Sequence, residues 1–449
     1  MVTSNLAFKE KNSIEPEVVV NESPVKWCAV ALSDVVARGK RLEASVFDVE
    51  AKQARMLISK GKYPQSFIGG TDGMASSYVC GRFKRIWVEK SDMPIYQPSS
   101  IVDIKPTPDG YISAKTKTNI GNLRVKENQI LMTCSGTIGK VSFVSRTLAS
   151  KIFSHDLLRI DCRKPDEAGY IYAFLKSKIG NKILLTNSYG AVITHIEPEH
   201  LATVPIPDAP TMLKKKIHDL IVRSYELRDE SNDLIDQATA LLIGELKLPD
   251  IDAFDVGLYK KAAPVDTFSV RLSEMSGRLD ASYHVPIVDA IIEHLKRYAE
   301  EVTTVGDPRI SREVILPGRF KRVYVDEGYG RVLIGGKQLS ELDPSSKKYL
   351  STAKHDKMLK KLEVHEGTTL ITRSGTIGKI AIVPKHWEHY IPSDHIIRVI
   401  PANKDIAGYL NIFLASDYGK VLITRFTYGS VVDEIDDNHV RQIAIPLLK

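Results

Sequence analysis

The sequence lacks the segments that direct a protein into a membrane or to secretion. No apolar run approaches the roughly 20 residues that span a bilayer, and the polar N-terminus has no apolar signal-peptide core. Cysteine is also scarce, and all four cysteines lie in the first half without a C-x-x-C pair. They read as reduced thiols, most of them core fillers: Cys28, Cys80, Cys134 and Cys162. We therefore expect a soluble cytoplasmic protein.

Motifs that support catalysis are absent or incomplete. The hexapeptide Ser-Gly-Thr-Ile-Gly-Lys at 135–140 ends like a phosphate-binding loop, but such a loop requires Gly in place of Cys134 and Ser or Thr in place of Val141. No nucleophile elbow, methyltransferase glycine motif or paired-carboxylate nuclease pattern occurs. The segment His386-Trp-Glu-His389, together with His395, carries metal-ligand residue types, but we expect a surface loop there rather than a zinc site. The chain is predicted to be non-catalytic, without cofactor or metal.

What the sequence does contain is an internal duplication. The hexapeptide at 135–140 returns unchanged at 374–379, and each copy lies between two short apolar runs. Short apolar runs bounded by glycine predict a strand, a tight turn and a second strand. A chain of 449 residues is also too long for one ordinary core, which fits a repeat of whole domains.

Other blocks recur in the same order, which excludes chance as an explanation. Arg-Leu-Glu-Ala-Ser at 41–45 returns as Arg-Leu-Asp-Ala-Ser at 278–282, and Gly-Arg-Phe-Lys-Arg at 81–85 returns at 318–322. Ser-His-Asp-Leu-Leu-Arg at 154–159 matches Ser-Asp-His-Ile-Ile-Arg at 393–398. Tyr-Gly pairs at 189–190 and 428–429 precede the closing segments Val-Pro-Ile-Pro and Ile-Ala-Ile-Pro.

The two copies diverge between the basic block and the hexapeptide. Tyr-Gln-Pro-Ser-Ser-Ile-Val-Asp at 96–103 stands opposite Ile-Gly-Gly-Lys-Gln-Leu-Ser-Glu at 334–341. A shared scaffold with different middle segments suits two modules that bind different targets. Neutral drift after duplication explains the divergence equally well.

A long helix is predicted between the copies. Apolar and small residues from Ile217 to Leu241 step by three and four, with charged residues between them. The helix of about 34 residues would reach roughly 50 Å. Two serines on this seam weaken self-association, so we expect it to pack on a partner through Ile217, Leu220, Leu227, Leu234 and Leu241. The alternative is an ordinary amphipathic helix that lies on a domain.

These patterns predict an α+β protein with two tandem repeated domains joined by a long coiled-coil-like helix. The expected divisions are a flexible extension (1–24), a first domain (25–210), the helix (211–248), a linker (249–267) and a second domain (268–449). Within the domains, helical patterns cover 43–59, 167–182, 285–300 and 406–421.

Candidate nucleic-acid contacts come from the repeated basic residues. The net charge of +7 is mildly basic, which suits a polyanion but also an ordinary solvated surface. Arginine pairs bidentately with phosphate or guanine, and a lysine on a glycine turn can approach a phosphate closely. The candidates are Arg82, Lys84, Arg85, Thr137 and Lys140 in the first copy, and Arg319, Lys321, Arg322, Arg373, Thr376 and Lys379 in the second. The alternative for the hexapeptide is a hairpin turn retained for folding.

The sequence thus contains two domains that each include the hexapeptide and end with a Tyr-Gly and Ile-Pro block, and a long helix separates them. This arrangement resembles the specificity subunit of Type I restriction-modification systems. The resemblance covers residues 25–448 and implies that each repeat is a target recognition domain for half of a bipartite double-stranded DNA site. It implies that the helix spaces the half-sites and docks DNA adenine methyltransferase subunits. The resemblance also implies that partner subunits carry the chemistry. Methyltransferase subunits would methylate adenine with S-adenosylmethionine, and restriction subunits would carry out ATP-driven translocation and cleavage.

The sequence departs from this family at its end. Members usually carry a second long helix after the second domain, antiparallel to the first, whereas this sequence ends at Lys449. We expect either a truncated chain or a central helix that pairs with another copy or with a methyltransferase subunit.

Three other functions stay open on the sequence alone. The chain could be the recognition subunit of a Type II-like system with a fused nuclease-methyltransferase. It could be a protein-interaction scaffold, with two gripping modules and the helix as a zipper. Third, it could be an enzyme in its own right.

Overall fold

The computed structural model describes residues 18–19, 27–38, 40–190, 193–254, 259–260, 266–344, 346–429 and 431–448. The chain divides into two compact units, residues 1–230 and 231–449. Of the predicted flexible extension, only 18–19 lie within the described residues, where Val18–Val19 pairs with Trp27–Cys28. Of the predicted linker, 255–258 and 261–265 lie outside them, and Tyr259–Lys260 pairs with Asp266–Thr267.

The first unit is built on an antiparallel sheet, here called its core sheet. Its strands in spatial order are Ala75–Tyr78, Leu157–Cys162, Ile130–Thr133 and Val141–Phe143. Successive side chains of a strand point to opposite faces. Ile130 and Met132 accordingly pack with the helical core, while Leu131 packs with Tyr96 and Phe153 on the other face. The strand is apolar throughout because both faces of this sheet are covered.

A second sheet in the first unit, the variable sheet, is made largely by the segment that diverges between the copies. Its strands in spatial order are Ile152–Phe153, Pro94–Tyr96, Gly110–Ile112 and Trp87–Val88, the first pair being parallel. A separate antiparallel pair joins Gln65–Phe67 to the closing strand Pro205–Pro207.

Helices of the first unit are Leu32–Ala37, Val49–Ser59, Ile120–Leu123, Ala168–Lys176, Lys178–Leu185 and Pro198–Ala202. The helix predicted at 43–59 begins later, because Asp48 caps it by accepting from the Ala51 amide at 2.9 Å. The single helix predicted at 167–182 is wrong. It is broken at Ser177, whose hydroxyl accepts from the Gly180 amide at 3.0 Å and starts a new helix.

The second unit repeats all three sheets in the same spatial order. Its core sheet contains Ser311–Ile315, Ile396–Pro401, Thr369–Thr372 and Ile380–Ile382. Its variable sheet contains Ile391–Pro392, Gly330–Ile334, Lys348–Ser351 and Tyr324–Val325. Glu301–Thr304 pairs with the closing strand Ala444–Leu447. The divergent segments therefore fold alike and differ in the side chains that they present.

Helices of the second unit are Pro286–Tyr298, Thr352–Leu362, Lys404–Ala415, Asp417–Thr424 and Asp437–Arg441. The helix predicted at 285–300 is present within slightly shorter bounds. The single helix predicted at 406–421 is wrong for the same reason as its counterpart, since Ser416 accepts from the Gly419 amide at 3.1 Å and begins a second helix. Thr352–Leu362 is longer than its first-unit counterpart Ile120–Leu123.

The long helix Thr211–Glu245 begins in the first unit and ends in the second. Its buried side chains are not the predicted seam. The Tyr225 hydroxyl donates to Tyr172 at 3.0 Å and accepts from the Phe143 amide at 3.1 Å. The buried Asp229 accepts from Ser145 at 2.9 Å. The predicted α+β class with tandem units and a long connecting helix is confirmed. No helix among the described residues is both long and apolar enough to cross a bilayer.

Candidate nucleic-acid interface

The hexapeptide forms a hairpin turn between two strands of each core sheet, as predicted. Gly136 and Gly139 have φ of +67° and +80°, which side chains other than glycine rarely adopt. The Thr133 hydroxyl donates to the Thr137 carbonyl at 2.7 Å and accepts from the Lys140 amide at 3.0 Å. A strand follows the turn, so no helix N-terminus stands behind it to hold a phosphate.

The turn is bound to the Tyr-Gly loop of its own unit, which explains why both motifs recur together. The Gly136 amide donates to the Thr194 carbonyl at 3.0 Å, and Tyr189 and His195 exchange backbone hydrogen bonds. In the second unit Tyr428 and Glu434 make the same exchange. A Cβ on Gly190 would lie 2.2 Å from the Ile193 carbonyl oxygen, so this loop needs glycine.

Ser135 joins the turn to the dipeptide His155-Asp156. Its hydroxyl donates to Asp156 at 2.5 Å and lies 2.9 Å from His195 Nδ1. In a catalytic triad the histidine stands between serine and carboxylate and takes the serine proton. Here the serine stands between them and donates its hydrogen bond to the carboxylate, so this arrangement holds the turn rather than activating a nucleophile.

The neighbouring thiol is also unsuited to nucleophilic chemistry. Burial, with the nearby Asp156 carboxylate, raises the pKa of Cys134 to about 12. The thiolate is the reactive form of cysteine, and it is scarcely populated near neutral pH at such a pKa. Cys134 is therefore a core residue, as the sequence predicted.

The basic blocks present exposed cations in both units. Arg82, Lys84, Arg319 and Lys321 are exposed, and within the described parts of the chain their side chains make no hydrogen bond or ion pair. Each block leads into the edge strand of its variable sheet, where Trp87 is 51% exposed and Tyr324 is 50% exposed.

The last arginine of each block has a different environment in the two units. Arg85 is half-buried, lies over the rings of Phe83 at 5.8 Å and Trp87 at 5.9 Å, and forms no ion pair among the described residues. Its counterpart Arg322 is ion-paired with Asp394. The cause is the order of a dipeptide, which is His-Asp at 155–156 and Asp-His at 394–395.

The pKa of His155 is lowered, mainly because the ring is buried. The guanidinium groups of Arg85 and Arg82 lower this pKa further, whereas the Asp156 carboxylate raises it. The Phe83 ring lies 5.8 Å from the His155 ring. Through His155, Asp156 and Ser135, the structure connects the basic block to the hexapeptide turn. Ser135 and the reversed His-Asp order were visible in the sequence, but the link that they make between the turn and the basic block was not predicted.

The remaining predicted contacts are unequal in their accessibility. Thr137 and Thr376 are exposed at the tips of the two turns. Lys140 and Lys379 are half-buried, and Lys379 donates to the Ser340 hydroxyl at 3.2 Å. Arg373 points inward, where it pairs with Glu434 and donates to the Ile435 carbonyl at 3.1 Å. Arg373 therefore holds the Tyr-Gly loop of its unit, and its contact with DNA stays a prediction.

The predicted partner-binding residues lie mostly in solvent. Leu220, Leu227, Leu234 and Leu241 are 64%, 49%, 58% and 66% exposed, whereas Ile217 packs partly against the first core. These leucines recur at every seventh position along the helix. Such spacing is typical of a helix face that packs on another helix.

A second uncovered face lies around Gly408 in the second unit. In the first unit the equivalent Gly169 is covered, since a Cβ there would lie 2.7 Å from the His218 Cα of the long helix. At Gly408 a Cβ would have no neighbour within 4 Å. A cavity of about 790 Å³ opens there, lined partly by Leu241, Tyr409 and Ile412.

Comparison with known proteins gives fold-level similarity only. No protein-family profile and no curated protein sequence matches the chain. The Type-I restriction-modification S subunit from M. genitalium is similar at 12% identity with a TM-score of 0.24, over 86% of this chain and 85% of that one. The HsdS subunit from Thermoanaerobacter tengcongensis is similar at 12% identity with a TM-score of 0.26, over 85% and 87%.

A third similar structure describes complex assembly and conformational transition of the type I R-M system, at 14% identity with a TM-score of 0.27, over 86% and 87%. All three come from the kind of system that the sequence resembles. At TM-scores this low, function has to be inferred from this chain's own residues.

Proposed function

We propose that the chain is a non-catalytic DNA sequence-recognition subunit of a restriction-modification system, and that each unit binds one half of a bipartite duplex site. The observation that supports this most directly is the repeated presentation of exposed cations. The cations are Arg82 and Lys84 in one unit and Arg319 and Lys321 in the other. Their side chains make no hydrogen bond or ion pair with the described residues, and each pair precedes a half-exposed aromatic side chain. Two equivalent basic surfaces on one chain suit two segments of one duplex.

Phosphate contacts by these cations would position each unit, and the variable sheets would read the bases. Contacts to phosphate fix register but carry no sequence information, whereas base-edge contacts specify sequence. The variable sheets share their topology and differ in their side chains. The second unit also carries exposed Lys354, Lys357 and Lys361 on Thr352–Leu362, a helix that has only a short counterpart in the first unit.

Partner subunits would supply the chemistry. DNA adenine methyltransferase subunits would dock on the exposed leucines of the long helix and on the face around Gly408. Two observations support this docking: the heptad spacing of the leucines, and the first-unit precedent in which a helix covers the face around Gly169. Restriction or translocase subunits would join through the same assembly.

Mapping of methylated adenines tests the recognition proposal. The full chain is co-expressed with a DNA adenine methyltransferase from the same organism, and methylated adenines are mapped across the host genome. We expect a motif with two defined half-sites separated by an unspecified spacer. Methylation at a single contiguous motif, or methylation that is the same without this chain, would contradict the proposal.

Paired substitutions assign each unit to a half-site. Arg82→Ala with Lys84→Ala should weaken duplex binding. It should also reduce the salt slope, which is the slope of log K for binding against log salt concentration, by about 0.9 in magnitude for each phosphate that the variant no longer neutralises. Arg319→Ala with Lys321→Ala should do the same through the other half-site. Lys60→Ala and Lys404→Ala, which remove exposed lysines elsewhere, are the matched controls. If both pairs bind duplex DNA like their controls at moderate salt, the assigned surface is wrong.

Co-purification with the methyltransferase tests the docking surface. Leu234→Asp with Leu241→Asp, and separately Gly408→Leu, should reduce recovery of the complex while leaving the chain folded, since these positions are exposed or open. Gln237→Asp adds a charge at another exposed position of the same helix and is the control. Wild-type recovery with both leucines replaced would exclude the helix face.

A further inference from the structure

Two histidines and a glutamate converge at one edge of the second unit. His365, Glu388 and His389 each offer a ligand atom, and these three atoms lie within 4.8 Å of one another. The imidazole centroids of His365 and His389 are 5.6 Å apart with nearly perpendicular planes. Imidazole nitrogen and carboxylate oxygen are common ligands of zinc.

The third side chain is held in place by partners of its own. His389 Nδ1 lies 3.0 Å from the Glu363 carboxylate, and Glu363 is paired with Arg331 at 3.2 Å. A histidine that binds a metal almost always donates its other ring N–H to a carboxylate, a carbonyl or water. Here the Nδ1 contact leaves Nε2 of His389 available as the ligand.

The carboxylate of Glu388 is divided between two tasks. One oxygen accepts from the Glu366 amide at 2.8 Å, and the other lies 2.5 Å from His365 Nδ1. A metal cation would replace the proton that this Glu388 oxygen and His365 Nδ1 share. The side chains of His365, Glu388 and His389 are 58%, 37% and 51% exposed, so a solvent molecule can reach a further coordination position.

The first unit has the same backbone without the ligands. His389 adopts φ of +65° and its amide donates to the Val364 carbonyl at 2.9 Å, while the equivalent Ser150 adopts φ of +66° and donates to Val125 at 2.9 Å. The positions that match the three ligands are Lys126, Ala149 and Ser150. The turn itself therefore does not require histidine and glutamate.

We propose that His365, Glu388 and His389 bind one divalent transition-metal ion of the zinc class, with water completing the coordination. Ligand bonds of 2.0–2.2 Å in a tetrahedron place ligand atoms roughly 3.4 Å apart. His365 Nδ1 and the Glu388 oxygen, now 2.5 Å apart, must therefore separate by about 1 Å, and any ligand atoms as far apart as 4.8 Å must approach by about 1.4 Å. The ion would join the residues around 365 to the turn that precedes the variable-sheet strand Ile391–Pro392. It would thus stabilise the variable sheet of the second unit only, whatever that sheet binds.

Direct binding to the full chain is the test. After treatment with a chelator, Zn²⁺ is titrated by calorimetry, and Co²⁺ is added separately so that its d–d absorption reports the coordination geometry. We expect one site in the wild-type chain, and at least a tenfold loss of affinity in His365→Ala and in His389→Ala. The control is His386→Ala, on the same turn, whose ring instead contacts the Leu342 carbonyl at 2.6 Å.

Grafting the ligands into the first unit keeps the test informative if a loss-of-ligand variant fails to fold. Lys126→His, Ala149→Glu and Ser150→His together should raise the stoichiometry from one Zn²⁺ to two. Equal Zn²⁺ affinity in the wild type and in a folded His365→Ala, Glu388→Gln, His389→Ala variant would overturn the proposal. Loss of binding in His386→Ala but not in His365→Ala would overturn it in favour of a different ligand set.

Discussion

The guanidinium of Arg322 is paired with the carboxylate of Asp394, whereas the equivalent Arg85 lies beside His155 with no ion pair among the described residues. The difference follows from one exchange of neighbouring residues, His-Asp at 155–156 and Asp-His at 394–395. The exchange also changes what holds each turn, because Ser135 contacts Asp156 and Ser374 contacts His395 at 2.7 Å. Two basic blocks of similar sequence thus differ in their effective charge.

That difference predicts opposite effects of two substitutions on DNA binding. His155→Asp should give Arg85 a carboxylate partner and reduce the magnitude of the salt slope, whereas Asp394→Asn should release Arg322 and increase it. Neutralising one phosphate more, or one fewer, changes the slope by about 0.9. Fluorescence anisotropy with a duplex that contains the mapped site, measured over a range of salt concentrations, gives the slopes. Equal slopes in both variants and the wild type would show that neither arginine reaches a phosphate.

The fully buried arginines Arg159 and Arg398 predict unequal effects on stability, although they are equivalent in sequence. Arg159 donates to four carbonyl oxygens, at 3.1, 3.2, 3.2 and 3.4 Å, and so ties the core sheet to the variable sheet. Arg159→Met would remove this donor from all four carbonyl oxygens and should destabilise the first unit by about 2–4 kcal/mol.

Arg398 has fewer partners. It donates to the Pro392 carbonyl at 3.3 Å, its Nε and Nη1 are buried without a partner, and burial lowers its pKa to about 10. A desolvated cation with few hydrogen bonds can be replaced by an apolar side chain at little cost. Arg398→Met should therefore change stability by about 1 kcal/mol or less. Urea unfolding of the two variants gives the comparison, and a larger loss for Arg398→Met would contradict this account.

The repeat, the hairpin turn and the long helix could be predicted because each depends on residues that are close in sequence. The breaks at Ser177 and Ser416 could not, because apolar spacing continues through both and only the cap to Gly180 or Gly419 marks them. The buried face of the long helix was missed because polar and aromatic groups form it, including Tyr225 and Asp229.

The other features that the sequence did not predict depend on contacts between residues that are far apart in sequence. The pairing of Arg322 with Asp394 depends on which of two adjacent residues faces the basic block, and periodicity does not encode that choice. His365 and His389 likewise meet only because the hydrogen bond from the His389 amide to Val364 brings two segments together. The sequence did show Glu388 and His389 as metal-ligand residue types, but their third partner lies 23 residues before Glu388, and local spacing does not reveal it.

Glycines at the helix breaks predict a large loss of stability on substitution by alanine. A Cβ on Gly180 would lie 2.1 Å from the Phe174 carbonyl oxygen, and one on Gly419 would lie 2.3 Å from that of Phe413. Backbone cannot move aside cheaply, so each change should cost roughly 2–4 kcal/mol. Gly408→Ala is the matched control, since its Cβ meets nothing within 4 Å. It should stabilise its helix by up to about 1 kcal/mol. Urea unfolding distinguishes them, and a neutral Gly419→Ala would contradict the packing described.

The docking of the long helix on the first unit should weaken in acid. His218 Nδ1 accepts from the Gly169 amide at 3.0 Å, which requires a neutral imidazole. Burial, assisted by Lys215 and opposed by Asp219 and Asp166, lowers the pKa of His218. Between the unfolded value near 6.5 and the lower folded value, the unfolded chain binds a proton that the folded chain does not. Stability from this contact is therefore complete above pH 6.5 and is lost as the pH falls toward the folded pKa.

Substitution of His218 by asparagine separates this effect from other titrations. The side-chain oxygen of His218→Asn can still accept from the Gly169 amide but does not titrate. We expect the urea midpoint of the wild type to fall between pH 7.5 and pH 5.5, and the fall to be smaller in the variant. Some loss should persist, because burial also lowers the pKa of His155 and of His439. An identical fall in both proteins would mean that His218 protonation does not weaken the contact between the long helix and the helix Ala168–Lys176.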